Sequence, residues 1–436
     1  MHRLHDIWAD TIAAQPNAVA LIEGATGRSW TRVQLDNLAQ VFTHTLPSTI
    51  ARQRVTFALP NGPDWFAVFL GLIRSGATPV PLDSSEPADN QRQLARAVGA
   101  AFAWIDASLE SLAPPSLRRP PVPALFKLTS GSTGLPRALP FTHAQLLADG
   151  RHVCASMDIR PDDLNLAVIP FGHSYGLGNL VVPLLAQGTA LACADIPLPH
   201  ALAALAARHR PTVFPAVPAL LRVLSEADLP SNTFASIRTV ISAGAPLSPA
   251  IARAFHDKFG LKPHGFYGSS ETGGISYDRT GDDTLTGAGV GTALDGVTIS
   301  PLRGQRIRVR SAAVFRTGVH TPADRAQVGA DGRIVLLGRT GRMVKVSGRR
   351  LDLAELEATL RQLPGITDAF VAAHPDNPEE LAAVLATSLD TPAVRSLLRI
   401  HLAPWKIPRR IVPISAFPVT ARGKTDTAAL RALLIR

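Results

Sequence analysis

The chain has 436 residues, of which 46% are hydrophobic and 18% are charged, a balance typical of globular proteins that leaves little room for long disordered tracts. Its length exceeds the roughly 100–200 residues of one ordinary domain, so we expect a large domain and at least one smaller one. The formal net charge of +10 favours an anionic partner, but the charge alone does not identify its class.

The first residues, from Met1 to Asp6, are mostly polar or charged, whereas a signal peptide needs an apolar run there. Export is therefore not expected. The two cysteines, Cys154 and Cys193, are too few for a disulfide framework and wrongly spaced for a zinc cluster. These features predict a protein of the reducing cytoplasm, with both cysteines in the core.

The next segments alternate between short apolar runs and helical patterns. Val55–Leu59 and Thr239–Ser242 have the composition of strands, and Trp65–Ile73 has that of a buried helix. The most apolar region, Leu166–Cys193, is interrupted by prolines and polar residues, so it predicts buried core and not a membrane span. The alternation predicts an α/β fold whose large N-terminal domain layers β-sheets with helices.

After about residue 300 the pattern changes to strands with few helices between them. Arg306–Arg310 and Arg333–Leu337 are predicted strands, and Asp352 with Glu355 predicts a helix start. Two further strands are predicted at Ile366–Ala373 and Leu381–Thr387. We therefore expect a small, mobile α+β C-terminal domain. The polar, glycine-flanked tetrapeptide Gly338-Arg339-Thr340-Gly341 predicts the boundary as a turn or hinge, which gives domains 1–338 and 339–436.

Basic residues along the chain are scattered, without a long Lys/Arg block or an aromatic-interleaved stripe, so nucleic-acid binding is not expected. One loop does have the composition of an anion site. The segment Leu128–Arg137 combines four hydroxyls and two glycines that can turn backbone N–H groups toward a polyphosphate, with Arg137 as an added cation. It lacks the Gly-Lys-Ser/Thr of the common P-loop, and a flexible surface loop is the alternative.

This loop resembles the phosphate-binding loop of the adenylate-forming superfamily, which includes acyl- and aryl-CoA ligases, peptide-synthetase adenylation domains and firefly luciferase. Further matches follow in the family's order, from Ser29–Thr31 to the C-terminus. The resemblance implies that ATP and Mg²⁺ activate a carboxylic acid as an acyl-AMP, which a thiol then attacks. The phosphate-binding residues it implies are Thr129, Ser130, Gly131, Ser132, Thr133, Gly134 and Arg137.

The resemblance implies that two further segments hold the nucleotide and its metal. Ser242–Pro246 resembles the turn that lines the adenine pocket, which implies Gly244, Ala245 and Pro246. Gly265–Thr272 resembles the signature that follows, in which Tyr267 would stack on adenine and Glu271 would hold Mg²⁺. Taken alone, Tyr267 is more often core and Glu271 more often a solvated charge. The remaining implied residues of this signature are Phe266, Gly268 and Ser270.

Asp324 stands where the family keeps the aspartate that binds the ribose hydroxyls, since a carboxylate accepting two hydroxyls orients the sugar. Pro322-Ala323 replaces the usual Thr-Gly before it, although the spacing to Gly332 and Gly338 matches. An exposed loop aspartate is the alternative.

The stretch from Gly338 to Leu351 resembles the family's hinge and the hairpin after it, in which Arg339 would approach ribose and Arg350 phosphate. In the family this hinge lets the small domain rotate between an adenylating and a thioester-forming orientation. Gly341 occupies the position where an aspartate is usual, and a glycine lacks the side-chain contacts that hold particular orientations. Two basic residues on a solvated face are the alternative for the arginines. Phe417–Asp426 resembles the loop of the catalytic lysine, so Lys424 would stabilise charge on the α-phosphate. By itself it would be an ordinary exposed lysine.

Pro170–Leu177 resembles the segment that lines the acyl pocket in CoA ligases, with His173 lining or gating the pocket. A satisfied buried histidine is the alternative. Because no carboxylate occurs from Phe171 to Gly178 to pair with an ammonium group, we expect an aliphatic or aromatic acid in place of an α-amino acid. Arg137 replaces the usual loop lysine, and the chain is shorter than most relatives.

We therefore expect an enzyme whose leading acceptor is coenzyme A, with the phosphopantetheine of an acyl carrier protein as the alternative. Both offer the same thiol arm, and both are anionic partners for a basic surface. A degenerate nucleotide- and acid-binding protein without turnover is an alternative of another class. The presence of Lys424 and Glu271 argues against it.

Overall fold

The computed structural model describes residues 3–113, 123–129, 137–194, 196–339, 343–346, 349–375, 377, 380–402, 404–420 and 424–435. Its strands are β1 (Val19–Glu23), β2 (Ser29–Thr31), β3 (Arg54–Phe57), β4 (Thr78–Pro81), β5 (Phe102–Ile105), β6 (Ser108–Ser111), β7 (Leu125–Thr129), β8 (Arg137–Phe141), β9 (Leu164–Ala167), β10 (Ala190–Cys193), β11 (Val213–Ala216), β12 (Thr239–Ser242), β13 (Pro263–Ser269), β14 (Gly273–Tyr277), β15 (Thr292–Ala293), β16 (Thr298–Leu302), β17 (Arg306–Arg310), β18 (Val319–His320), β19 (Asp324–Val328), β20 (Ile334–Arg339), β21 (Met343–Val346), β22 (Arg349–Asp352), β23 (Ile366–Ala373), β24 (Leu381–Thr387) and β25 (Arg410–Ile414).

The helices lie between these strands and cover the sheets. They are α1 (Leu4–Ala14), α2 (Arg32–Thr45), α3 (Pro63–Arg74), α4 (Ala88–Ala97), α5 (His143–Met157), α6 (Ser174–Gly176), α7 (Val182–Gln187), α8 (Pro199–His209), α9 (Pro218–Glu226), α10 (Pro249–Phe259), α11 (Asp282–Thr286), α12 (Leu353–Arg361), α13 (Thr391–His401) and α14 (Thr427–Ile435), with a π-helical turn at Leu177–Val181.

The largest sheet has the strand order β15-β14-β13-β12-β11-β9-β10-β1-β2. Its central strands β9 to β13 pair in parallel, and residues such as Val240 and Ile241 in β12 are buried, as expected for strands covered on both faces. Parallel strands place their carboxyl ends at one edge of the sheet. The turn after β12 and the hairpin β13–β14 therefore lie side by side at that edge.

A second sheet has the order β4-β3-β5-β6. Helix α3 packs in the core beside it, and every residue from Trp65 to Ile73 is buried. Trp65 contacts Phe57, Phe69 and Phe171, so the helix joins β3 to the segment that follows β9. Burial of such a large aromatic cluster contributes strongly to the hydrophobic stabilisation of this layer.

The C-terminal part has a hydrophobic core of its own. Sheet β23-β24-β25 packs on α12 and α13, and Leu356, Leu360, Val371 and Leu385 are buried between them. An ion pair ties this unit to the preceding sheet β16-β17-β19-β20. Arg325 of β19 pairs with the Asp352 carboxylate, which also caps α12 by accepting the Ala354 N–H.

The predicted α/β fold is confirmed, and so are the strands predicted at Ile366–Ala373 and Leu381–Thr387. One prediction differs from the structure at the domain boundary. Gly338 and Arg339 continue strand β20 and pair with Arg325 and Asp324, so the turn does not begin at Gly338. Thr340 and Gly341 lie outside the described residues.

The apolar region Leu166–Cys193 forms buried strands and helices of the main core, as predicted. Cys193 is buried, whereas Cys154 is only partly covered. Within the described ranges, no helix has the length and apolar character needed to cross a membrane.

Candidate active site

The turn after β12 is the first element of the site. Gly244 has a φ of +88°, a left-handed conformation that favours glycine, and Ala245 and Pro246 follow it at the surface of a cleft. The Tyr175 hydroxyl donates to the carbonyl of Ile241 at 3.0 Å, just before this turn. The predicted adenine-pocket residues thus lie at the carboxyl end of a central parallel strand, beside the segment predicted to hold the acid.

Tyr267 and Asp324 lie 57 residues apart in sequence and meet in the structure. The Tyr267 hydroxyl donates to Oδ2 of Asp324 at 3.0 Å. Tyr267 is buried on β13, and Asp324 is half-buried as the first residue of β19. Arg339 of β20 is the register partner of Asp324, although its side chain lies outside the described set. Three residues predicted to contact adenine and ribose are therefore neighbours.

Glu271 lies in the tight turn between β13 and β14, and its carbonyl accepts the Phe315 N–H at 2.8 Å. Ser269 and Thr272 close this turn through their hydroxyls, 3.0 Å apart. Nowhere in the described ranges do three or more His, Cys, Asp or Glu side chains form a group that could hold a metal. A single half-buried carboxylate fits Mg²⁺, which takes most of its ligands from water and substrate phosphates.

The segment predicted to line the acyl pocket adjoins this turn. Ser174 donates to the Ser270 hydroxyl at 3.1 Å, and the rings of Tyr175 and Phe266 lie 5.8 Å apart. His173 is half-buried, and its Nδ1 accepts the Tyr175 N–H at 3.3 Å as the cap of α6. Burial raises the pKa of the Tyr175 phenol, which therefore stays neutral as a hydrogen-bond donor.

The predicted phosphate loop is described only at its two ends. Thr129 ends β7, Arg137 begins β8, and the two are register partners in an antiparallel pair. Arg137 is exposed. The predicted residues Ser130, Gly131, Ser132, Thr133 and Gly134 lie outside the described set, and so does the Thr129 side chain.

Lys424 lies on a loop closed by a β-bridge between Val419 and Thr425. Its carbonyl accepts the Thr420 N–H at 2.7 Å, and its side chain is exposed. Val419 and Thr425 line the same cleft as Ala245 and Pro246. The loop predicted to carry the catalytic lysine is thus brought to the turn predicted to line the adenine pocket.

Gly268 belongs to β13, and a Cβ there would lie 2.6 Å from the Gly273 carbonyl, so the hairpin requires a glycine at this position. Arg350 of β22 is the register partner of Lys345, and neither side chain lies within the described set.

The sequence prediction missed a buried ion pair beside these elements. Lys127 of β7 is 3% exposed and Asp149 of α5 is 5% exposed, and the distance from Nζ to Oδ2 is 3.8 Å. Burial lowers the pKa of Lys127, and attraction by Asp149 opposes that shift. A lysine inside the apolar run Ala124–Leu128 was the available signal, because an unpaired buried charge is rarely tolerated.

The sequence profile of a family described as AMP-binding enzyme matches residues 8–122 and 105–310. The chain is 28% identical to L-proline–[L-prolyl-carrier protein] ligase of Streptomyces coelicolor, over 72% of this chain and 66% of that protein. It is 25% identical to benzoate–CoA ligase of Thauera aromatica, over 87% and 86% of the two chains.

Among solved structures, ATP-bound MatB from Rhodopseudomonas palustris superposes with a TM-score of 0.84 over 99% of each chain. The sequence identity is 21%, so this likeness concerns the fold.

Proposed function

This chain belongs to the family of AMP-binding enzymes and is an adenylate-forming acid–thiol ligase, and we propose that it joins an aliphatic or aromatic carboxylic acid to coenzyme A. The contact between Tyr267 and Asp324 is the observation that carries the nucleotide-binding step of this proposal. It places an aromatic face and a carboxylate together at the carboxyl edge of the main sheet, where one nucleoside would use both.

In the first half-reaction, an oxygen of the carboxylic acid attacks the α-phosphorus of ATP. The new bond joins that oxygen to phosphorus, the bond to pyrophosphate breaks, and acyl-AMP remains bound. Tyr267 holds the adenine, Asp324 accepts the ribose hydroxyls, and Lys424 stabilises the charge that builds on the α-phosphate oxygens. Glu271 would hold Mg²⁺, which neutralises phosphate charge.

In the second half-reaction, the thiol sulfur attacks the acyl carbon, the carbon–oxygen bond to AMP breaks, and the thiol proton is released to solvent. We propose that residues 339–436 rotate between the two half-reactions, so that Lys424 leaves and the thiol enters. The separate hydrophobic core of this unit supports such a movement, because the unit can turn without exposing its own interior.

The charges around Pro170–Leu177, the segment predicted to line the acyl pocket, support a substrate acid without an ammonium group. No carboxylate occurs between Phe171 and Gly178. Asp149 lies close to Gly178, but Lys127 already pairs with it. Tyr175 and Phe266 add aromatic surface. A buried ammonium without a partner would bind poorly there, so the proposal favours aliphatic and aromatic acids.

An exchange screen tests the proposed substrate class. Each acid of a panel of short, long and aromatic acids and α-amino acids is added to enzyme, ATP, Mg²⁺ and labelled pyrophosphate, and acid-dependent label in ATP is measured. We expect exchange with an aliphatic or aromatic acid. Exchange with α-amino acids only would contradict the proposed class, and no exchange with any acid would favour a binding protein without turnover.

The acceptor is tested separately with the best acid. We expect thioester formation to saturate with free coenzyme A when no carrier protein is present. Failure with coenzyme A, together with transfer to a phosphopantetheine-bearing carrier protein, would assign the enzyme to carrier loading instead. Both acceptors present the same thiol, so the recognition of the anionic remainder decides between them.

A further inference from the structure

Asp149 contacts three of the segments that the proposed mechanism uses. Its Oδ1 accepts the Gly274 N–H at 2.9 Å, in the strand that follows the Glu271 turn. Its Oδ2 lies 3.8 Å from Nζ of Lys127, in the strand that leads into the predicted phosphate loop. A Cβ at Gly178, in the π-helical turn of the acid segment, would lie 3.0 Å from the same oxygen. Asp149 is therefore buried between three segments of the proposed site.

The Lys127 ammonium has a defined position within this cluster. It lies 4.3 Å from the centroid of the Phe141 ring, which provides a cation–π contact on the side of β8. Asp149 pairs with this ammonium, and Asp149 also binds Gly274, three residues after Glu271, so the Glu271 carboxylate is a second source of attraction for the Lys127 ammonium. One buried cation is thus within electrostatic reach of two carboxylates, of which one is the proposed ligand of Mg²⁺.

We propose that Asp149 is a positioning residue that holds the Lys127 ammonium away from Glu271 and so keeps the Glu271 carboxylate available to the metal. This inference rests on the proposed function, because it assigns Glu271 to Mg²⁺. The physical reason is competition: a buried ammonium without Asp149 turns to the remaining carboxylate within reach, and that ion pair opposes the binding of a second cation.

Asp149→Asn isolates the charge from the hydrogen bond. The asparagine Oδ1 still accepts the Gly274 N–H, whereas the negative charge that neutralises Lys127 is lost. We expect the Mg²⁺ concentration that gives half-maximal ATP binding to rise about tenfold. In Lys127→Met the competing cation is absent, and we expect this concentration to stay at or below that of the wild type. In the double variant we expect it to return close to the wild-type value.

Asp36→Asn is the matched control for lost stability. Asp36 is also buried and paired, with Arg74, but it lies on α2 in a different layer. We expect Asp36→Asn to lower the urea midpoint of unfolding and to leave the Mg²⁺ dependence of ATP binding unchanged.

The four variants and the wild type are compared by titrating Mg²⁺ at fixed ATP and measuring bound nucleotide, with urea unfolding measured in parallel. An equal rise of the half-maximal Mg²⁺ concentration in Lys127→Met and Asp149→Asn would overturn the inference, because the ion pair would then only support the local fold. A double variant with the raised Mg²⁺ concentration of Asp149→Asn would also overturn it. So would an Asp149→Asn variant that, like Asp36→Asn, loses stability without a change in its Mg²⁺ dependence. A wild type without Mg²⁺-dependent ATP binding would overturn the proposed function itself.

Discussion

The Asp324 carboxylate accepts a hydrogen bond from the Tyr267 hydroxyl at 3.0 Å. In the proposed mechanism the same carboxylate also accepts hydrogen bonds from the ribose hydroxyls. Asp324→Ala should raise the KM for ATP by about tenfold to a hundredfold, because hydrogen bonds to a charged group contribute about 1.5–3 kcal/mol. The variant should also lose the preference for ATP over 2′,3′-dideoxy-ATP, since Asp324 would accept hydrogen bonds from both ribose hydroxyls.

The matched comparison is Tyr267→Phe, which keeps the ring and removes the hydroxyl that donates to Asp324. We expect it to retain the preference for ATP with a smaller rise in KM. Steady-state kinetics with the two nucleotides check both variants. An Asp324→Ala enzyme that still discriminates between them would remove Asp324 from the ribose site.

Lys424 has a role in only one half-reaction of the proposed mechanism. Lys424→Ala should slow acyl-AMP formation by about a hundredfold to a thousandfold, the usual cost of removing one group that stabilises transition-state charge. Thioester formation from supplied acyl-AMP should change little. Lys406→Ala is the control, because Lys406 is another lysine of the C-terminal unit and lies outside the cleft that the Lys424 loop lines. Equal losses in both half-reactions would contradict the role given to Lys424.

Individual residues in recognisable motifs were the most specific predictors of the site. Tyr267, Asp324 and Arg339 were predicted separately, and the structure makes them neighbours. The ion pair of Lys127 with Asp149 was not predicted, because it depends on how β7 packs against α5 and no local pattern encodes that contact. The roles given to the loop residues 130–134 remain predictions.

At the scale of elements, strand β20 meets helix α12 at a glycine. Gly338 has a φ of +96°, and a Cβ at this position would lie 1.9 Å from Cβ of Ala354. Gly338→Ala should therefore lower the free energy of unfolding by about 2–5 kcal/mol, from left-handed strain together with overpacking.

Gly332→Ala separates these two causes. Gly332 also has a positive φ, +81°, but no atom lies within 4 Å of the added Cβ, so only the strain of about 1–2 kcal/mol is expected. Denaturant unfolding of both variants measures the difference. Equal destabilisation would show that α12 moves away from β20 at little cost.

Helix α1 is attached to α5 through a histidine. The Leu4 N–H donates to Nδ1 of His143 at 3.2 Å, and burial lowers the pKa of His143 to about 4, with further repulsion from His5 and Arg3. The unfolded chain, with a pKa near 6.5, binds more protons between these two values. The stability from neutral His143 is therefore complete above about pH 6.5 and is lost as the pH falls toward 4.

His143→Asn keeps an acceptor for the Leu4 N–H and removes the titration. We expect its urea midpoint to fall less than that of the wild type between pH 7.5 and pH 5. His401→Asn, at an exposed position, should behave as the wild type does. Identical pH profiles for all three proteins would show that His143 does not contribute to acid sensitivity.

Elements were predictable where the pattern is local. The strands Ile366–Ala373 and Leu381–Thr387 were predicted with the bounds that the structure has, because turn residues delimit apolar runs there. The predicted turn at Gly338–Gly341 is wrong at its first two residues, which belong to strand β20. A glycine predicts conformational freedom, but at Gly338 it serves close packing of a strand against a helix, which no single sequence distinguishes from a hinge.

At the scale of the whole molecule, composition and alternation were sufficient for the α/β class and for a second unit. They were not sufficient for the order of the nine strands in the largest sheet, because pairing between strands distant in sequence is decided by tertiary contacts. That order places the turn after β12 and the hairpin β13–β14 at one edge, and the Lys424 loop reaches the same cleft. The proposed function therefore depends on one chemical step at that edge.

That step is the attack of the acid on the α-phosphorus, and an oxygen label tests it most directly. The enzyme is incubated with ATP, Mg²⁺, coenzyme A and a carboxylic acid carrying ¹⁸O in both carboxyl oxygens, and the products are analysed by mass spectrometry. We predict one ¹⁸O atom in AMP and one in the thioester, with unlabelled pyrophosphate. Label in pyrophosphate or phosphate, or unlabelled AMP formed together with thioester, would contradict the acyl-adenylate mechanism.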